Sequence, residues 1–475
     1  MVSGGVLLVD NHGVQVIYPV AVTVAGVDPS GGAGIAADLK AFAAMGVHGA
    51  VVVAVVTVQD TRGVRRVHVL PSWLVEEQLQ AVLEDYRVGA VKTGVLGSRE
   101  NVEAIARLLR GRDIALVVDP VYRASAGQLL NSDDAFKAIV EELFPLASLV
   151  APNVPEAERI TGTRIRSIED AKRAARILVE DYGARAALIK GGHLPGEPVD
   201  VLYYEDVFWE FRGERRSGCS HGTGCTFTAA LAAGLAKGLD LVEAVVRARK
   251  LVEEAIEYGF RVGRGDCPVN PLAGLERDAE RYRAIAAVED ALRLLLENAS
   301  RVARYAPEVG MNIAYAIEPR LARSIGDVAG VMGRIVRYGD TLKPVGPVRM
   351  GASSHMARLV LAAMERDPSL RAALNIRYAP ELIEAARRTG LRVVYVDRRA
   401  EPEEVRRVEG ASMRWLVERA FAVAGATPDV VYDTGDVGKE AMIRILARTP
   451  REAIEKLLRI LEALEGRGGM EQEEA

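Results

Sequence analysis

Cysteine is scarce in this chain: three residues in 475, at positions 219, 225 and 267. No Cys-x-x-Cys pair and no Cys/His cluster gathers them, which excludes a zinc site of the usual spacing. Structural disulfides are not expected from so few. Histidine is thin as well, with His355 the single one after residue 276. Long apolar runs are missing. Stretches such as Gly49 to Val58 lead straight into polar turns, so no segment could cross a bilayer. Met1 to Val9 lacks both a basic start and a small-residue cleavage site, so no signal peptide is expected and the chain reads as cytosolic. Excess charge is absent too: a net −4 gives no reason to expect nucleic acid as a partner. Lysine gives way to arginine and Gln is rare, a balance that hints at a hot habitat.

What is present is an ordinary globular composition, 49% apolar and 27% charged, in a chain too long for one core. Two domains, with a third not excluded, are the expectation. The most informative stretch runs from Ser217 to Ala230 and puts Gly222, Thr223, Gly224 and Cys225 at the mouth of an Ala/Leu-rich helix. Gly222 and Gly224 permit a tight turn whose N–H groups point one way, and the helix adds the positive end of its dipole. Such a cradle holds an anion. Within the first turn the same field would favour thiolate at Cys225, below the roughly 8.5 of a free thiol. A base beside an anion hole suits phosphoryl transfer to a hydroxyl. Taken alone, the stretch is equally a glycine-rich helix start with a buried cysteine.

The rest of the first half decides between these. Residues 1–18 form a short extension, and the first convincing strand is Val20 to Gly26, leading through Asp28-Pro-Ser-Gly-Gly-Ala-Gly34 into a helix at Ile35 to Met45. The loop does not satisfy G-x-G-x-x-G, which argues against a dinucleotide site. Asp38 on that helix could face a ligand over the sheet edge, or serve only as a solvated helix residue. Strands at Ala50 to Val58, Ala90 to Thr93, Ala115 to Asp119, Ser148 to Ala151 and Ala186 to Lys190 alternate with amphipathic helices, the pattern of a doubly wound, mostly parallel sheet. Ligands of such sheets bind beyond the carboxyl ends of the strands, and the polar motifs fall there.

Six of those motifs, Asp28-Pro-Ser-Gly-Gly-Ala-Gly, Val91-Lys-Thr-Gly-Val-Leu, Asp119-Pro-Val, Pro152-Asn-Val-Pro-Glu-Ala-Glu, Lys190-Gly-Gly-His and His221-Gly-Thr-Gly-Cys-Thr, share one order and spacing. Together, over Val20 to Pro271, the chain resembles the hydroxymethylpyrimidine and hydroxymethylpyrimidine-phosphate kinases, a ribokinase-like group with pyridoxal kinases as near relatives. The resemblance implies that ATP with Mg²⁺ phosphorylates 4-amino-5-hydroxymethyl-2-methylpyrimidine and then its monophosphate. It implies Cys225 as the catalytic residue, where sugar kinases of the superfamily carry Asp, with Gly222, Thr223 and Gly224 as the anion hole. Asn153 and Glu156 match the N-x-x-E motif that organises Mg²⁺ largely through water; Lys190 and Asp119 fall to the phosphates, and Gln59, Asp38 and Asp28 to the pyrimidine pocket. A side-chain amide suits the donor and acceptor edge of an aminopyrimidine. The family has Asn-Thr where Cys219-Ser220 stands here. Cys219 is expected to be a bystander, with a cross-link to Cys225 left open, and His221 to anchor its loop.

Two prolines and several glycines between Gly263 and Pro271 mark a boundary, so 19–272 is expected as one domain, 273–284 as a linker, 285–464 as a second, smaller α/β domain, and 465–475 as a frayed polar tail. Cys267 has no evident chemistry. In the second part Arg349, Ser353 and Ser354 approach a helix start that would suit an anion, and Asn375 and Lys439 lie at turns. Gly333-Arg-Ile-Val-Arg, Gly346-Pro-Val-Arg-Met-Gly-Ala-Ser-Ser-His, Asn375-Ile-Arg-Tyr and Asp433-Thr-Gly-Asp-Val-Gly-Lys-Glu resemble the archaeal-type thiamine-phosphate synthase domain. That resemblance implies condensation of the pyrimidine diphosphate with thiazole phosphate, releasing pyrophosphate, and makes Arg334 and His355 its important residues. The partners expected are these small molecules, with no membrane and a homo-oligomeric state. The rival reading is a pyridoxal or pyridoxine kinase with a C-terminal ligand-sensing domain.

Overall fold

The computed structural model describes residues 6–10, 13–124, 127–193, 196–436 and 438–473, and the chain divides into two compact units, Met1–Leu275 and Glu276–Ala475. The first unit opens with an antiparallel hairpin, β1 (Val6–Asp10) and β2 (Gly13–Ile17). Then come β3 (Val20–Val27), α1 (Gly34–Ala44), β4 (His48–Asp60), β5 (Gly63–Val69), α2 (Ser72–Asp85), β6 (Val88–Thr93), α3 (Arg99–Leu109), β7 (Ala115–Val118) and α4 (Asp133–Ala138). It continues with β8 (Leu149–Val150), α5 (Val154–Thr161), α6 (Ile168–Glu180), β9 (Ala186–Ile189), β10 (Val199–Tyr204), β11 (Val207–Arg212), α7 (Thr223–Ala236) and α8 (Leu241–Glu257).

Nine strands form one sheet in the order β11-β10-β9-β8-β7-β6-β3-β4-β5. The six from β9 to β4 run parallel, and β5, β10 and β11 close the edges antiparallel. Interior strands such as Val20–Val27 are apolar without alternation because both faces are covered. The helices α2 to α6 pack their apolar stripes on one face, and α1, α7 and α8 on the other. This is the doubly wound sheet that the strand pattern predicts.

The second unit carries the greater part of α9 (Ala273–Glu297), then α10 (Ala299–Val302), β12 (Ile313–Ala316), β13 (Val328–Val331), β14 (Ile335–Tyr338), β15 (Thr341–Pro344), β16 (Val348–Met350) and α11 (Ser354–Arg366). It ends with β17 (Ala372–Arg377), α12 (Pro380–Arg388), β18 (Val393–Tyr395), α13 (Glu403–Arg407), α14 (Ala411–Ala424), β19 (Val430–Asp433), β20 (Met442–Ala447) and α15 (Pro450–Glu473). Its seven-stranded sheet, β16-β13-β12-β17-β20-β19-β18, is antiparallel except for the β18–β19 pair.

Two boundaries differ from expectation. Residues 273–284 are helical, the opening of α9, whose Ala284, Val288, Ala291 and Leu295 are buried; the prolines and glycines before it, together with its own charge, made the segment look like a linker. The tail from residue 465 is helical as far as Glu473, with its last two residues outside those described. Among the described residues no helix is long and apolar enough to cross a membrane.

Candidate active site

A cavity of about 630 Å³ opens beyond the carboxyl ends of the parallel strands of the first unit. It draws its wall from the places the sequence motifs marked: Asp28, Gln59, Asp119, Asn153, Glu156, Lys190, and Gly222 to Cys225. The glycine turn is built at Gly222, which caps α7 with φ of 86°. A Cβ there would lie 1.8 Å from the Gly32 carbonyl oxygen, so only glycine lets the two loops meet. Gly224 sits inside the first helical turn instead of in the bend, and its missing side chain leaves room 3.8 Å from the Lys190 ammonium.

The Asp28 carboxylate accepts bonds from Ser30 N at 2.8 Å, the Ser30 hydroxyl at 2.9 Å and Ala33 N at 2.9 Å, and lies 3.1 Å from His221 Nε2. Burial works to raise its pKa, but these bonds outweigh burial and hold it below the usual range. Its lone pairs are engaged in tying the first glycine loop to the His221 loop. His221 is thus the anchor the sequence suggests.

Lys190 donates to Asp119 at 2.8 Å, and Asp119 also accepts from Thr228 at 3.1 Å. Burial opposes the Lys190 charge, yet Asp119 and Glu156 hold it charged above its usual range. Asn153 and Glu156 form a reciprocal capping box at the start of α5, each bonding the other's backbone N–H at 2.9 Å. Glu156 is 6% exposed, and burial, reinforced by Asp119 against Lys190, pushes it up to about 7. A carboxyl kept short of full ionisation chiefly by burial, with a neighbouring carboxylate adding to it, is one that a cation would relieve. The described residues hold no group of three His, Cys, Asp or Glu able to grip a metal by themselves. Asn153 and Glu156 bring oxygen donors to the cavity wall, a sparse set of the kind that suits Mg²⁺, which keeps waters and phosphate oxygens in its shell.

Three expectations are corrected. Asp38 does not reach the cavity: it is fully buried, 2.8 Å from Lys92 Nζ, and accepts from the Thr23 hydroxyl at 2.6 Å. Lys92, a motif residue given no role from sequence, takes the place on the wall instead. Cys225 is not a depressed thiol, because desolvation outweighs Lys92 and the Gly34 N–H and pushes it up to about 11. Nor is Cys219 a bystander, since it pairs with Cys267, their Cα atoms 4.9 Å apart, and leaves Cys225 the free cysteine. Two cysteines 48 positions apart carry no spacing signal that sequence reasoning could use. Also missed were Asp200, bonded by Gly191 N at 2.8 Å and paired with Arg249, and the arginines 123, 215 and 216 on the cavity wall.

In the second unit, His355 lies in the first turn of α11, after Gly351 at φ of 71° and an N-cap Ser353 whose hydroxyl makes no capping bond. His355 is exposed at the surface, yet partial loss of water, followed by the fields of Arg444, Arg398, Arg334 and Arg358, holds its imidazole down to about 4. Arg398 and Arg444 are each 4% exposed, tied to Glu401 and Asp433, and keep N–H groups without a partner. Neither was singled out from sequence. Arg334 is exposed and held at φ of 79°, a region costly for a side chain, while its guanidinium bonds the Val309 carbonyl. Arg349 and Ser354 are exposed near the same helix start. Asn375 is corrected: buried, it accepts from Asn312 N at 2.7 Å and donates to Gly310 O at 3.1 Å, a structural clamp with no free edge. Lys439 is neutralised by Glu401 at 2.7 Å.

A doubly wound sheet with an amide-rimmed helix mouth, a lysine and a capping-box carboxylate around one cavity defines a ribokinase-like kinase. Residues 28–270 match the family described as phosphomethylpyrimidine kinase, and residues 287–459 the family described as thiamine-phosphate synthase ThiN. A hydroxymethylpyrimidine/phosphomethylpyrimidine kinase of Staphylococcus aureus is 41% identical over 263 residues, 54% of this chain and 95% of that one. The thiamine biosynthesis bifunctional protein ThiED of Geobacter sulfurreducens is 46% identical over 262 residues, 54% of this chain and 53% of that protein. An ADP complex of Bacillus subtilis pyridoxal kinase superposes with a TM-score of 0.50 at 31% identity, covering 54% of this chain and 98% of that one. The chain belongs to the phosphomethylpyrimidine kinase family and carries a thiamine-phosphate synthase domain behind the kinase. It is an enzyme of thiamine biosynthesis, and pyridoxal kinase is its relative in fold.

Proposed function

We propose that the first cavity binds ATP with Mg²⁺ and moves the γ-phosphoryl group onto the hydroxymethyl oxygen of the aminopyrimidine, then onto its monophosphate, and that residues 285–464 consume the resulting diphosphate. The observation that carries this reading is the meeting of the Gly222–Cys225 helix mouth with Lys190, Asp119 and Glu156 on one wall. Gln59, at the end of β4, offers the amide for the pyrimidine, and its carbonyl oxygen lies 3.2 Å from the Thr57 hydroxyl. Backbone N–H groups at the start of α7 beyond Thr223, whose own N–H donates to Ser220 O at 3.3 Å, and the Lys190 ammonium face the phosphates, whose spreading charge in a loose transition state asks for cations more than for a strong base. Glu156 and Asn153 would hold Mg²⁺ largely through water, and the ion would neutralise charge between the terminal phosphates. Cys225 takes the hydroxyl proton.

In the second unit, Arg334 and His355 would meet the diphosphate, with Arg398 and Arg444 supplying buried positive charge behind them. A neutral imidazole among four guanidiniums can donate one N–H to an anion without itself needing to be charged. Incubating the whole chain with ATP, Mg²⁺ and either the aminopyrimidine alcohol or pyridoxal tests the kinase reading. A diphosphate product from the pyrimidine supports it; phosphorylation of pyridoxal with none of the pyrimidine sinks it.

A further inference from the structure

We propose that Lys92 is a positioning residue of the kinase reaction: fixed by Asp38 from behind the cavity wall, its ammonium presents positive charge to Cys225 and favours the thiolate, the form of that sulfur that accepts the substrate's proton. This deepens the reading of Cys225 as base and rests on it. Both side chains of the Lys92–Asp38 pair are fully buried. A buried ion pair is weak support for stability, since well-packed apolar residues of similar size serve as well or better. Its geometry suits a different task. Two contacts to Asp38, at 2.8 and 3.1 Å, and the Thr23 hydroxyl behind that carboxylate fix the ammonium in place. Gly94, also on the cavity wall, lacks the Cβ that would come within 3.1 Å of the Lys92 nitrogen. The helix whose first turn holds Cys225 packs across the strand that carries Lys92.

The groups around the sulfur oppose one another. Burial and the carboxylates of Asp38 and Asp119 disfavour the thiolate; Lys92 from β6 and the Gly34 N–H at the start of α1 favour it, and Lys190 shares an interaction with the sulfur. Lys92 is the largest of the favouring groups. In the step itself the Cys225 thiolate takes the hydroxymethyl proton, the freed oxygen bonds to the γ-phosphorus, and the bond from that phosphorus to the β-bridging oxygen breaks, its electron pair leaving with ADP.

With Cys219 and Cys267 paired, Cys225 is the only free thiol, so its ionisation can be read in the full chain by iodoacetamide, with mass detection under non-reducing conditions. Lys92→Met leaves Asp38 unpartnered, and Asp38→Asn by itself removes a carboxylate that disfavours the thiolate, so the deciding comparison is Asp38→Asn against the double variant Lys92→Met with Asp38→Asn. From the first to the second we expect Cys225 alkylation at pH 8 to slow about tenfold, the shift of one unit in its midpoint, with turnover falling in parallel and nucleotide KM unchanged. Lys92→Arg, which keeps the charge, should hold the midpoint near that of the parent. An alkylation profile unmoved from Asp38→Asn to the double variant, or moved equally by Lys92→Arg, overturns the proposal. Full turnover in Cys225→Ser would instead overturn the base reading, whatever the alkylation profile.

Discussion

At Cys225 two tendencies compete, and their magnitudes decide the outcome. The helix mouth and Lys92 pull toward thiolate, but loss of water pushes harder, so the empty site holds a thiol up to about 11. The thiolate fraction therefore grows through neutral and alkaline pH, and kinase turnover should climb between pH 7 and 9; a flat or falling kcat profile would remove Cys225 as the base. Cys225→Ser should lose about 10²-fold or more in kcat at unchanged ATP affinity, the size expected for loss of a positioned base. Glu156 yields a prediction of opposite character. Its folded pKa is raised, so its contribution to stability is full below about 4.5, the ordinary glutamate value, and is lost as pH rises through about 7. Glu156→Gln should then be more stable than the parent at pH 8, by about 3 kcal/mol, while turning over more slowly. A less stable variant in urea unfolding would contradict the assignment of a strained carboxyl. Motifs that resemble the kinase family's pointed to Cys225, Glu156 and Lys190, and all three line the cavity. It could not show that Asp38 stops one layer short, because the reach of a side chain past its neighbour depends on packing.

Among elements, the segment from residue 263 to 269 does more than its glycines and prolines suggested. Asp266 N donates to Thr61 O at 2.8 Å at the tip of the β4–β5 hairpin, and His221 N to Cys267 O at 3.2 Å beside the anion loop. The Cys219–Cys267 bond fastens it. Closing a loop of 48 residues restricts the unfolded chain by about 4 kcal/mol in the chain-entropy account. Cys267→Ser should accordingly lower the Tm of the kinase unit by several degrees and leave the transition of the second unit in place; an unshifted Tm would show that the bond contributes nothing. The strands were legible in advance because a doubly covered sheet demands unbroken apolar runs, as in Val20–Val27. The opening of α9 was not, since a charged stretch gives no sign of which of its faces will be covered.

Across the whole molecule, two units hold two chemistries that share one compound, the product of the first being the substrate of the second. Arg334→Ala and His355→Ala should abolish thiamine phosphate formation while the pyrimidine diphosphate accumulates. Loss of both products would mean that these residues support folding instead. The first unit declared itself through glycine motifs tied to strand ends, whereas much of the second unit's buried charge, Arg398 and Arg444, sits in an arginine-rich chain where single arginines carry little information. The most direct measurement is mass spectrometry of products from the aminopyrimidine alcohol, ATP, Mg²⁺ and thiazole phosphate with the full chain. Successive appearance of the monophosphate, the diphosphate and thiamine phosphate with pyrophosphate is the result expected; an untouched pyrimidine, or a diphosphate never joined to the thiazole, would contradict it.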